Sequence, residues 1–188
     1  MRIRAPGALP LNAGVLRTLS RPMILAPATS ILLLTASAAI TFPGEQVEAK
    51  APGGRFSVTW VAADASPNRE HQLMLRDNLS GSSSLLLSFG RSIAVSWSPN
   101  GRRLAVTNRV GSDSTDTWVY SVDGAPPVSA WELLELQQGK GRFAFAAGAH
   151  HMYVETDRWL SDATLVIRAW GYGGAQPFDR RFRVTLNR

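Results

Sequence analysis

The chain has 188 residues, 45% of them hydrophobic, with six Trp and no Cys, which bounds one domain plus a tail and excludes global disorder, disulfides and thiol chemistry. Its formal charge of +6 is uneven: Arg2, Arg4, Arg17 and Arg21 precede residue 39 with no acid among them, leaving 16 basic against 14 acidic residues beyond it. A remainder that close to neutral has no electrostatic footprint for a polyanion, so nucleic acid is excluded as the expected partner.

Taken in order, residues 1–38 read as a signal peptide. Arg17 and Arg21 precede a mostly apolar run over residues 23–40, and Ala36-Ser37-Ala38 supplies small residues before a cut. The rival reading is an inner-membrane anchor over residues 23–42, about the length a spanning helix needs. Pro27, Thr29, Ser30, Thr35 and Ser37 dilute that run. Membrane contact is expected only if the segment is retained. Residues 39–54, rich in Pro and Gly towards their end, read as a linker, and residues 55–188 as the folded domain.

Phe56, Val58 and Trp60 alternate with polar residues and predict a strand. Residues 72–76 and 85–89 predict two more, separated by a Ser/Gly-rich turn. Ile93, Val95 and Trp97 then alternate into Ser98-Pro99-Asn100-Gly101, where Pro presets φ, Asn suits the next position and Gly accepts φ > 0. Residues 103–107 and 117–122 complete this antiparallel unit. Pro126 and Pro127 end the β pattern, and Ser129 with Glu132 forms a capping box for a helix over residues 130–138, closed by Gly139. Its Trp131, Leu134 and Leu136, with Leu133, are expected to be buried against sheet. Phe143 and Phe145, residues 152–155, 164–170 and 182–186 return to strand character.

A repeat emerges from these elements. Residues 52–58 (PGGRFSV) match residues 99–106 (PNGRRLAV) apart from one insertion, and residues 159–166 (WLSDATLV) are a third copy with Trp159 in the place of Trp97. The stretch VSWSPNGRRLAV, residues 95–106, resembles TolB-like and WD40-like β-propeller repeats, in which Trp or Phe precedes Ser-Pro-Asp/Asn-Gly and a hydrophobic strand. A closed propeller takes about four to eight blades, whereas this chain supplies about three units. The resemblance therefore implies an all-β fold: a partial, about three-unit β-propeller-like set of antiparallel sheets with one inserted α-helix. The whole chain also resembles small exported bacterial proteins holding such a partial propeller, which implies a periplasmic or secreted location and no particular activity. Two open edges would need cover from the helix, from the Arg-bearing last strand, or from a homodimer.

The chemical constellations are sparse. His150, His151, Glu155 and Asp157 are the nearest approach to a metal or hydrolase site, but adjacent histidines on a strand face opposite ways, and the bland reading is a polar strand face. The loop over residues 111–116, with Asp113 and Asp116, lacks the acid spacing of a calcium loop and reads as a solvated hairpin tip. No Ser sits in a nucleophile elbow. Trp170, beside the Gly171-Tyr172-Gly173-Gly174 turn, is the Trp expected to be partly exposed. The expected function is a non-catalytic binding or scaffolding module of the bacterial cell envelope with a protein partner. Its contact surface is expected at the loop tips of residues 108–117, using Asp113, Asp116, Trp170 and Tyr172, or at a sheet edge. No catalytic residue, metal or cofactor is assigned. The alternative is a metal-dependent or other hydrolase with a site near His150–Asp157.

Overall fold

Alternating apolar residues become strand wherever one face can be buried, and that rule organises nearly all of the described chain. The computed structural model describes residues 39–62, 64, 70–139 and 148–186. Its elements are β1 (Ile40–Phe42), β2 (Glu48–Lys50), β3 (Phe56–Val61), β4 (His71–Asp77), β5 (Ser83–Phe89), β6 (Ser92–Trp97), β7 (Arg103–Arg109), β8 (Ser114–Ser121) and β9 (Val128–Ser129). α1 (Ala130–Gln138), β10 (His151–Ser161), β11 (Thr164–Tyr172) and β12 (Phe178–Thr185) follow. One sheet is the antiparallel meander β2-β3-β4-β5; the other runs β1-β6-β7-β8-β10-β11-β12, with β9 paired to β8. Neither sheet closes, and the fold is mostly strand with one short helix among the described residues. No helix among these residues is long and apolar enough to cross a membrane. The expected signal peptide, residues 1–38, and the expected strand at Phe143 and Phe145 lie outside the described residues.

Two features differ from the sequence reading. The sheets are not antiparallel throughout: β8 and β10 run parallel over Met152↔Ser114 and Tyr153↔Thr115, so what reads as a third sheet is joined to the second. The join is short because threonine hydroxyls take over from it. Val154 donates its N–H to Thr115 Oγ1 at 2.8 Å, and its carbonyl accepts from Thr115 Oγ1 and Thr117 Oγ1. Thr156 N–H donates to Thr107 Oγ1, which lies 2.8 Å from Thr117 Oγ1. With the Thr117 proton spent on Val154, Thr107 must donate to Thr117, so the protons in this buried chain run in one direction. The second difference lies in residues 39–54, where β1 pairs with β6 and β2 with β3. Phe42 and Ala49 are fully buried there. Three-residue strands are too short for alternation to reveal them.

The three sequence copies occupy the hairpins β2–β3, β6–β7 and β10–β11. The same contact links successive copies. Trp97 Nε1 donates to the Ala49 carbonyl at 3.1 Å, and Trp159 Nε1 donates to the Ser96 carbonyl at 3.1 Å. Trp97 and Trp159 are equivalent in the repeat, and so are Ala49 and Ser96, each three residues before its Pro. The turns touch as well. Gly101, at φ 67°, lies so near the first turn that a Cβ there would stand 2.7 Å from the Pro52 carbonyl oxygen. On its other side Asn100 N–H donates to Asp162 Oδ1 at 2.8 Å.

β7 is buried on both faces, which explains its unbroken apolar run. Leu104 and Val106 join Val58, Leu73, Phe89, Val95 and Trp97 in one core. Ala105 faces the other, with Val119, Val154, Trp159, Ile167 and Val184. α1 closes that second core. Ser129 Oγ accepts from Glu132 N–H, and Gly139 ends the helix at φ 81°. Leu133 and Leu134 are buried and Trp131 packs beside them, but Leu136 is 81% exposed, contrary to the stripe expected from sequence. At 3.6 residues per turn, Leu136 lies about 200° around the helix from Leu134. The Gln137 amide reaches the outer strand, donating to the Thr185 carbonyl and accepting from its N–H. On β5 a bulge leaves Leu86 between the pairs Leu73↔Leu87 and Met74↔Leu85, a device that makes an edge a poor template.

Candidate functional site

A cleft of about 490 Å³ opens where the β6–β8 face meets β10 and β11. Its floor follows from strand register. Ser92 pairs with Arg109 across β6 and β7, and Thr115 lies beyond them on β8; alternation turns all three towards β10. The wall is Tyr153, Glu155 and Trp170, on the β10–β11 face that does not enter the core. Arg91 and Ser112 complete the rim.

Cross-strand pairs fix the wall. Tyr153 stacks on its register partner Trp170 at 4.0 Å, and Arg168 lies 5.3 Å from the Trp170 ring centre. The Tyr153 hydroxyl donates to the Ser112 carbonyl at 2.8 Å, tying the β7–β8 loop to the wall. Burial, then the neighbouring Tyr172 and the carboxylates of Asp113 and Glu155, raise the Tyr153 pKa, so the hydroxyl keeps its proton at neutral pH. Trp170 Nε1 donates to Glu155 Oε2 at 3.1 Å. Further along this face Arg168 grips Asp179 through two nitrogens at 2.9 and 2.7 Å, which holds the Asp179 pKa below its ordinary value. Asp157 is held by Arg158 and Arg181.

The cations in the cleft contrast with these. Arg109 has one long bond, Nη1 to Ser92 Oγ at 3.5 Å, and neither it nor Arg91 has a carboxylate partner among the described residues. Two guanidinium groups and the one lining carboxylate therefore face the same opening.

Of the four residues singled out from sequence, Trp170 lines the cleft. Tyr172 lies one position along the same face, exposed, stacked on His151 at 4.2 Å. Asp113 sits at the loop tip, its carbonyl accepting Met152 N–H and its Oδ1 accepting Ser114 Oγ. Asp116 points to the other face, where its Oδ2 accepts the Trp118 indole N–H at 2.5 Å. The structure does not gather His150, His151, Glu155 and Asp157 into a ligand set, and the described residues contain no group of three or more His, Cys, Asp or Glu able to hold a metal ion. Arg109 falls within the loop-tip range 108–117 and Tyr153 within the His150–Asp157 stretch read from sequence, but Arg91 and Ser92 had no place in either. Arg91 and Arg109 bracket the β6–β7 hairpin in sequence, and antiparallel pairing of Ser92 with Arg109 brings them to one end of it.

A second cleft of about 310 Å³ lies at the other end of β6, between the Pro52 and Asn100 turns, and its Arg55 is already bound to Asp77. Compared with protein-family models, with curated proteins and with solved structures, the chain matches none.

Proposed function

We propose that this chain is an exported, non-catalytic binding module of the bacterial cell envelope, built as a partial propeller of three units, and that the Arg109–Trp170 cleft is its contact surface. One observation carries the reading: the cleft presents two arginines that have no carboxylate partner among the described residues beside an aromatic pair, while Asp157 and Asp179 further along the same face are held by guanidinium groups. Groups tied into such pairs position a scaffold, and groups left without a partner at a concave opening are available to a ligand.

The repeat supports the propeller-like part of the proposal. Successive units make the same indole-to-carbonyl bond, as blades packed one behind another would. Export rests on the basic and apolar pattern of residues 1–38 and on Ala36-Ser37-Ala38. A cut after Ala38 would leave β1, with its buried Phe42, in the mature protein.

The test is made in cells. A photoreactive phenylalanine analogue replacing Ser112 at the cleft rim is expected to trap a protein partner, and the same analogue replacing the exposed Leu79 is expected to trap none. N-terminal sequencing of the trapped chain should begin near Ala39. Equal trapping at both positions, or a chain retained in the cytoplasm with its leader intact, would refute the proposal.

A further inference from the structure

Resting on that reading of the cleft and going beyond the protein partner met at its rim, we infer the class of small ligand its interior takes: a small zwitterion of the amino-acid or short-peptide type, its carboxylate held by Arg91 and Arg109 and its ammonium by Glu155. A guanidinium fork matches a carboxylate with two parallel hydrogen bonds, and both forks here lack a carboxylate partner among the described residues. Glu155 supplies the opposite charge. The Trp170 indole fixes its Oε2, and no other described group bonds its Oε1, which is left as an acceptor within the cleft.

The balance of charge narrows the class. Two cations against one anion leave the lining at +1, enough for one carboxylate, whereas a ligand with several negative charges would meet Glu155 directly. A purely cationic ligand would meet two arginines. A volume of about 490 Å³ suits an amino acid or a di- or tripeptide and lies in the usual range for small-molecule sites. Trp170 offers an apolar side chain only the part of its ring that the stacked Tyr153 and the nearby Arg168 leave uncovered. The ligand is therefore bound at its two charged ends, with its side chain loosely specified.

The experiment is calorimetric titration of the mature protein with L-phenylalanine, alanyl-phenylalanine, N-acetylphenylalanine, phenylalanine amide and inorganic phosphate. Saturable binding of the first or second is expected, and which binds tighter separates the free amino acid from the peptide as source. Blocking either charged end should weaken binding about tenfold or more, the size of one lost charge-assisted hydrogen bond. Arg109→Gln and Arg91→Gln should each weaken the zwitterion by a similar factor, and Glu155→Gln should abolish the preference for phenylalanine over its N-acetyl form. Far-UV circular dichroism checks that these surface variants fold. If neither zwitterion binds, or if N-acetylphenylalanine or phosphate binds as well as the zwitterions, the inference falls. Trapping at Ser112 would then still stand, and the cleft would serve a partner of other chemistry; loss of trapping alone would count against the proposed function.

Discussion

Replacing Trp159 with Phe removes the indole that bonds Ser96 and keeps an aromatic ring in the core. Trp159 is 4% exposed and Trp97 3%, so neither loss is relieved by solvent. The change deletes two buried ring carbons, at about 0.8 kcal/mol for each buried carbon group. It also deletes a hydrogen bond whose net worth is about 1 kcal/mol. Together these give about 2.5 kcal/mol, or a fall in midpoint of about 5–10 °C for a domain near 150 residues. Trp97→Phe should cost about the same, because the two indoles make equivalent contacts. Trp118→Phe is the control: its indole bonds Asp116 two residues away, and it links no second unit. Its loss should stay below about 1 kcal/mol. Urea unfolding followed by circular dichroism measures all three, with unchanged slope confirming comparable transitions. If Trp97→Phe is costly and Trp159→Phe neutral, the third unit is not docked as the second is, and the repeat argument fails.

Gly101→Ala should destabilise by about 2–5 kcal/mol, combining the left-handed penalty with the Pro52 clash. Gly124→Ala, at φ 81° with open space around it, should cost about 1–2 kcal/mol in the same urea series. Leu134→Ala should cost about 2–5 kcal/mol and Leu136→Ala less than about 0.5 kcal/mol, as thermal unfolding will show. Because the Asp179, Asp77 and Asp123 pKa values are lowered in the folded chain, their stabilisation is present above the ordinary carboxylate pKa and lost as pH falls through the folded values. The thermal midpoint should therefore drop below about pH 4, and Asp179→Asn, which ends the Arg168 ion pair, should flatten part of that acid limb.

Much of the fold was legible in the residues because it depends on local rules. Ile93, Val95 and Trp97 alternate as a half-buried strand must, and Ser98-Pro99-Asn100-Gly101 closes as its turn chemistry requires, with Gly101 N–H donating to the Ser98 carbonyl. The helix was placed by Ser129 and Gly139, yet its buried face was misjudged, because Leu136 follows Leu134 by two residues where the helical period requires three or four. Tertiary context alone produced β1 and β2, whose pairing depends on partners elsewhere in the chain. The β8–β10 join was likewise hidden: threonines at 107, 115 and 117 suit a strand face anywhere, and only the arrival of Val154 and Thr156 gives their hydroxyls a purpose.

Part of the candidate cleft's lining was legible. The loop tips at residues 108–117 and Trp170 mark the two sides of the cleft. Bringing Arg109 and Glu155 to one cleft needed the fold, since 46 residues separate them in sequence. Asp116 had looked available because a loop aspartate usually is, but the nearby Trp118 indole takes its carboxylate.

We propose that the cleft beside Tyr153 and Trp170 is where this protein meets its ligand. Backbone amide and indole resonances of the isotope-labelled protein, followed during titration with the trapped partner or the zwitterion, test it directly. Shifts are expected to concentrate at Ser92, Arg109, Thr115, Glu155 and the Trp170 indole. Shifts confined to the Pro52 and Asn100 turns at the far end of β6 would contradict it.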